Sequence, residues 1–303
     1  MREVDARTCD AGALKDPDFQ YATGQAQKGF VRTDDEVIAA SLINLLAERS
    51  QYVERSRASL SLNGAIEVVG NLTSEEIAGL TAVFVISRAI LKTSIPQILY
   101  VNFNKYTSSL TESMTQESGS IEYLLSHGCV TRNQFPGPDL FSTIRDIYIL
   151  AFSDGFILSD FEKEFPEIDA DTATKILIRL RAPGLGAPVN YTESSVAPES
   201  LPTEILVKFN TSHPEIVARD LAALGHPGLQ TRVSEFATPR AWAVERVTAE
   251  LSAAVPDLVP FAQTWLNAGM NSVQLTALGI AVAHSNARRL WADFREPLST
   301  WIR

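Results

Sequence analysis

Leu72-Thr73-Ser74-Glu75-Glu76-Ile77 and the apolar run Leu80-Thr81-Ala82-Val83-Phe84-Val85-Ile86 decide the fold class of this chain. The Thr73 hydroxyl can accept a hydrogen bond from the Glu76 amide while the Glu76 carboxylate reaches back to the Thr73 amide, which forms a capping box. Carboxylates in the first turn also suit the positive end of the helix dipole. Because the body is apolar nearly all round, we predict a buried central helix. A buried strand is the competing interpretation, since several of these residues are β-branched.

Other amphipathic segments lie between this helix and the N-terminus. Residues 16–30 and 56–69 place apolar side chains at helical spacing. Thr33-Asp34-Asp35-Glu36 has the pattern of a second capping box, and the apolar stripe behind it is expected to leave Glu48 and Arg49 on the solvent side. These segments predict an all-α protein.

The domain organisation is predicted from a change in composition near residue 182. Residues 183–202 are rich in Pro, Gly and Ser and are expected to form a linker or a long surface loop. We therefore predict a multi-helix domain over residues 1–182 and a smaller helical domain, with a short β-hairpin, over residues 203–303.

Composition and charge exclude several classes of protein. The 303 residues are 45% hydrophobic and 20% charged, which is too apolar for a disordered chain. The net charge of -10 argues against a nucleic-acid or anionic-membrane ligand. The longest apolar stretch, residues 77–91, is too short for a membrane span and contains Arg88. With two cysteines and no secretory signal at the start, the expected location is the reducing cytoplasm.

Motifs for familiar chemistry are missing from the sequence. The four histidines do not form a zinc-binding pair, and neither a phosphate-binding loop nor a nucleophile elbow occurs. The acidic run over residues 154–171 does not follow the calcium-loop pattern and is expected to be a solvated face, with Asp169 and Asp171 capping a helix. Cys129 is interpreted as a small buried hydrophobe, the alternative being a nucleophile with His284 as base. We predict no cofactor and no metal.

The polar cluster best suited to a functional role contains His284, Asn286, Arg288 and Arg289. These residues lie on a predicted helix that follows a short extended segment. His284 and Arg288 are four residues apart and share a helix face. The set could bind a phosphate or the carboxylates of a partner. The alternative is a local role, in which the arginines favour the negative end of the helix dipole and pair with Asp293 or Glu296.

Several stretches resemble one bacterial family, which is sporadically distributed, uncharacterised and known only by locus tags. They are Asp16-Pro17-Asp18-Phe19-Gln20-Tyr21-Ala22, Leu45-Leu46-Ala47-Glu48-Arg49-Ser50, Leu62-Asn63-Gly64-Ala65-Ile66-Glu67-Val68, Leu72-Thr73-Ser74-Glu75, and Leu275-Thr276-Ala277-Leu278-Gly279-Ile280-Ala281 with His284, Asn286, Arg288 and Arg289. Members of the family start with a Gly/Gln/Asn-rich leader, which we expect this chain to lack. The resemblance carries over no catalytic residues, and the scattered occurrence implies a role in defence against phage or mobile elements.

Three functional hypotheses follow. The favoured one is a non-enzymatic interaction or regulatory protein that binds another protein or a second copy of itself. The second is an effector enzyme of unfamiliar type, such as a nuclease or toxin, that uses His284, Asn286 and Arg288. The weakest is a DNA-binding regulator, because a helix with Arg288 and Arg289 could meet phosphates although the chain is acidic overall.

Overall fold

The computed structural model describes residues 13–52, 54–114, 119–180, 189–190 and 206–302. In these residues the chain forms fourteen α-helices. They are α1 (Pro17–Arg32), α2 (Glu36–Arg49), α3 (Arg57–Val69), α4 (Ser74–Ser87), α5 (Pro96–Leu110), α6 (Gly119–Ser126), α7 (Leu140–Ile147), α8 (Leu158–Glu164), α9 (Ala170–Ile176), α10 (Pro214–Ala223), α11 (Gln230–Ala237), α12 (Val244–Ala254), α13 (Leu258–Asn267) and α14 (Ala277–Leu290).

Short strands complete the secondary structure and form two small antiparallel sheets in the described residues. They are β1 (Val130–Arg132), β2 (Phe156–Ile157), β3 (Leu177–Arg179), β4 (Val189–Asn190), β5 (Leu206–Phe209) and β6 (Val273–Leu275). β1 pairs with β6, and the other four strands follow the order β2-β5-β3-β4. β3 and β4 are consecutive and antiparallel. The prediction of an all-α fold with a short hairpin is confirmed, but the hairpin strands lie at residues 177–179 and 189–190 and not in the predicted domain over residues 203–303.

Helix α4 is the buried centre that the sequence predicts. The Thr73 amide donates to Glu76 Oε2 over 2.9 Å, and the Glu76 amide donates to the Thr73 hydroxyl over 3.3 Å. Every residue from Glu76 to Ile86 is buried. The helical interpretation is therefore confirmed over the strand, because the capping box fixes the first turn and neighbours cover all sides of the body.

The chain divides into two compact units, and each unit is built from segments that are not contiguous in the sequence. The first unit contains residues 1–89, 105–140 and 259–303, and the second contains residues 90–104 and 141–258. In the first unit, α14 packs against α2, α3 and α4, and α1 packs against α2 and α3.

This division differs from the predicted domains over residues 1–182 and 203–303. The physical reason is that α14 is buried along residues 279–287 among the N-terminal helices, so residues 259–303 join the first unit. Most of the predicted connection, residues 183–202, lies outside the described residues, with only β4 described.

The second unit has its own aromatic core. The rings in contact with each other come from Phe156, Phe161, Phe165, Phe209 and Phe236. Lys208 lies on β5 beside this core and is buried. Its ammonium group donates to the carbonyl oxygens of Ala151 and Ser153 over 2.7 and 2.9 Å, and these bonds offset part of the cost of its burial.

Local signals misplace some helix ends. The N-cap of α2 is Asp35, which accepts from the amides of Val37 and Ile38, so Thr33 and Glu36 do not form the predicted capping box. Asp169 caps α9 as predicted. None of the helices in the described residues combines the length and the apolar character that a membrane span needs.

Candidate functional site

His284 lies in the interior of the first unit and has a partner at each ring nitrogen. Its Nδ1 is 3.2 Å from Glu48 Oε2, and its Nε2 is 2.8 Å from the backbone oxygen of Glu296. A carbonyl oxygen only accepts, so Nε2 carries hydrogen and donates to it. Nδ1 faces the Glu48 carboxylate, so the two ring nitrogens connect His284 to two different segments of the first unit.

Aromatic rings enclose the imidazole. Phe84 and Phe294 meet His284 edge to face, with ring centroids 6.2 and 5.7 Å away, and the Trp301 ring is 5.5 Å away. The side chain of His284 has no solvent exposure. A reactant in solvent therefore does not reach this imidazole in the conformation described.

Asn286 connects α14 to α4. Its side-chain amide donates to the Thr81 hydroxyl over 2.8 Å, and that hydroxyl donates in turn to the Ile77 backbone oxygen over 2.7 Å. The carbonyl oxygen of the Asn286 side chain accepts from Arg289 Nε over 2.9 Å. Hydrogen bonds to both the nitrogen and the oxygen of the Asn286 side chain therefore fix its orientation, and its buried polar atoms have partners.

The two arginines of the set have different surroundings. Arg288 is 43% exposed and its Nη1 is 3.9 Å from Glu48 Oε1, a long ion pair. Arg289 is exposed at the residue level, and partial desolvation of its guanidinium lowers the pKa of that group, which the nearby Asp35 partly offsets. The two acidic residues expected to pair with these arginines make other contacts. Asp293 pairs with Lys105, and the backbone oxygen of Glu296 accepts from His284.

The structure joins Asn286 to Arg289 on α14 and pairs His284 separately with Glu48, a residue that the sequence predicts on the solvent side. That placement is wrong, and so is the placement of Arg49. Both side chains are buried. The signal was present in the sequence, because Glu48 and Arg49 lie three and four residues after the buried Leu45 and therefore share its helix face.

Arg49 joins α2 to two other segments of the first unit. Its guanidinium donates to Asp16 Oδ2, Asn63 Oδ1 and the Tyr52 backbone oxygen over 2.7, 2.8 and 2.7 Å. The hydrogen bond from Arg49 holds the pKa of the Asp16 carboxyl below its ordinary value. Asp16 also caps α1, so one carboxylate serves both the helix start and the ion pair.

Cys129 is a buried side chain, as expected. Burial raises the pKa of its thiol to about 12, so the thiolate that a nucleophile needs is scarce at neutral pH. Its backbone oxygen accepts from the Thr276 amide over 3.1 Å, next to the start of α14.

The acidic run at residues 154–171 is divided among separate contacts. Asp154 accepts from Trp242 Nε1 over 2.9 Å, while Glu164 and Glu167 pair with Arg232. Asp171 is in the first turn of α9 and pairs with Lys175. Among the described residues, no group of three or more His, Cys, Asp or Glu side chains is placed to hold a metal ion.

The fold and this site define a mostly α-helical protein in which a buried polar network fastens the last long helix to the N-terminal helices. A family model matches residues 6–302, and the chain therefore belongs to that family, which is uncharacterised and named by a locus tag. No curated protein and no solved structure matches the chain.

Proposed function

We propose that this chain is a non-enzymatic interaction protein of the bacterial cytoplasm that acts in a defence module against phage or mobile elements. The observation that carries the interaction part is one surface of helix α1. We call it the α1 face and define it by Tyr21, Gly24, Lys28 and Val31, which lie on one side of the helix at helical spacing.

The α1 face presents apolar groups to solvent. Tyr21 is 56% exposed and Val31 is 85% exposed, while the opposite side of the helix buries Phe19, Ala22 and Ala26. Phe30, at the end of the helix, is 50% exposed but lies on the side of Phe19 and Ala26, so it is not part of the α1 face. Single exposed apolar residues are ordinary on proteins, but Tyr21 and Val31 together on one helix face favour a docking surface.

The chemistry of the α1 face indicates the kind of partner. A methyl group added at Gly24 would meet no other atom within 4 Å, so a partner can approach the helix closely there. Lys28 on the face and Arg32 at its end are basic, in a chain whose net charge is -10. The proposed partner surface is therefore apolar with acidic residues at its edge.

The arrangement of the polar residues also supports a binding role over an enzymatic one. The side chains of His284 and Asn286 are engaged in hydrogen bonds within the first unit, and burial raises the pKa of the Cys129 thiol. The defence part of the proposal rests on the sporadic distribution of the family that the sequence resembles.

Site-specific photo-crosslinking in living bacteria tests the interaction. A benzophenone amino acid replaces Val31 in one variant and Glu67, which is exposed on α3 of the same unit, in a matched control. The proposal predicts a discrete crosslinked product from position 31 and none from position 67. Its mass separates a second copy from a different partner, and no product at position 31 contradicts the proposal.

Phage plating tests the defence part separately. Cells that produce the wild-type chain with its neighbouring genes are expected to reduce plating efficiency, and Val31→Asp, which puts a charge on the α1 face, is expected to restore it. Equal plating with and without the wild-type chain, across a phage panel, would contradict the defence role and leave the crosslinking result standing.

A further inference from the structure

A groove lies in the first unit near the start of α3, the end of α4 and the start of α14. Its volume is about 420 Å³. The side chains that line it are Arg57, Leu60, Ser61, Arg88, Ala277, Ile280, Trp301 and Ile302. The volume falls within the range of small-molecule sites, which is roughly 300–1,000 Å³.

The groove is lined by aliphatic side chains and by the ring of Trp301, whose position is fixed by other contacts. Leu60, Ile280 and Ile302 supply aliphatic surface. Trp301 Nε1 donates to the backbone oxygen of Arg88 over 3.1 Å, and the Trp301 ring packs edge to face on Phe84 with centroids 4.9 Å apart. The indole is therefore held in place before any ligand arrives, which lowers the entropic cost of binding.

The charge of the groove is opposite to that of the chain. Arg57 and Arg88 are the ionisable side chains among the eight that line it, while the whole chain carries -10. Within the described part of the chain, no carboxylate pairs with the Arg88 guanidinium. A guanidinium offers a planar set of donors that fits a carboxylate.

We infer that this groove binds an apolar monocarboxylate, with the carboxylate at Arg88 and the apolar body on Leu60, Ile280 and the Trp301 ring. The size follows from the volume, since a water molecule takes about 30 Å³ and the groove then holds a ligand of roughly a dozen non-hydrogen atoms. An aryl-alkyl acid such as 4-phenylbutyrate has this size and shape. The inference goes beyond the proposed function and does not depend on the α1 face.

Isothermal titration calorimetry on the full chain tests the site, with 4-phenylbutyrate as probe and 4-phenyl-1-butanol as its uncharged match. The expected result is one site per chain with a dissociation constant below about 1 mM for the acid. The alcohol is expected to bind at least tenfold more weakly, because it cannot make the charge-assisted hydrogen bonds to Arg88.

Two variants and one control locate the binding. Arg88→Gln is expected to weaken the acid about tenfold, since a hydrogen bond to a charged group is lost. Leu60→Asp puts a negative charge at the exposed edge of the groove and is expected to abolish binding. Arg295→Gln removes an exposed arginine that does not line the groove and is expected to leave the affinity unchanged.

The melting temperature of each variant without ligand shows whether it folds. If Arg88→Gln melts early, Leu60→Asp still decides the question, because Leu60 is already 44% exposed. No saturable binding of the acid would overturn the inference. Equal affinity for acid and alcohol, or equal loss in Arg88→Gln and Arg295→Gln, would overturn it as well.

Discussion

The Glu48 carboxylate and the His284 imidazole lie 3.2 Å apart in the interior of the first unit, although 236 residues separate them in the chain. Both side chains are buried. A charged residue is rarely buried unless it is paired, so the position of each depends on the other. This contact therefore ties α14 to α2, while Asn286 ties the same helix to α4.

Replacing Asn286 with alanine should weaken the attachment of α14. The change leaves a small cavity and removes the acceptor for Arg289 and the donor to Thr81. We expect the free energy of unfolding to fall by about 1–3 kcal/mol in urea denaturation. Asn267→Ala, at an exposed position of the same unit, should change it by less than about 0.5 kcal/mol. Equal effects of the two substitutions would contradict the assignment.

Two glycines in helices should respond to alanine in opposite directions. A methyl group on Gly279 would overlap the backbone oxygen of Cys129, whereas one on Gly24 would meet nothing within 4 Å. Gly279→Ala should therefore destabilise by more than about 2 kcal/mol, because backbone must move. Gly24→Ala should stabilise by up to about 1 kcal/mol through helix propensity. Thermal melts of both variants measure this, and a neutral Gly279→Ala would refute the close packing of α14 on Cys129.

Lys208 should make the stability rise with pH in the alkaline range. Burial lowers the pKa of this ammonium group from 10.5 to about 8. Between these values the folded protein binds fewer protons than the unfolded chain, so its stability rises as pH rises. The cost of the buried charge, about 3 kcal/mol, is present in full below pH 8.

Comparison with Lys208→Met isolates this effect. The stability of the wild type relative to the variant should increase from pH 8 to about pH 10.5, as measured by urea denaturation at each pH. Tyr106 and Cys129, whose pKa values burial raises to about 12, act in the opposite direction but are present in both proteins. A difference in stability that stays constant with pH would contradict the prediction.

The fold class was predictable where the signal is local. The Thr73 capping box lies within four residues, and the structure has both of its hydrogen bonds. The position of α14 was not predictable, because its partners Glu48 and Thr81 are more than 200 residues away in the chain. The same holds for β1, which pairs with β6 across the sequence.

The sequence predicts the α14 residues of the candidate site but not the buried charged residues of α2, one of which contacts His284. The sequence singles out His284 and Asn286, but the charges of Glu48 and Arg49 predict that those two side chains lie in solvent. Their spacing from Leu45 placed them on the buried face. Helical position predicts their burial better than charge does, because a buried charge is tolerated when an opposite group meets it.

A double-mutant cycle on Glu48 and His284 measures most directly whether this polar set serves to hold α14. Glu48→Met and His284→Phe keep similar volumes and should each lower the free energy of unfolding by about 2–4 kcal/mol, because each leaves a buried polar partner. The double variant should lose less than the sum by more than about 1 kcal/mol. Losses that add to within about 0.5 kcal/mol would contradict a shared structural role for the two residues.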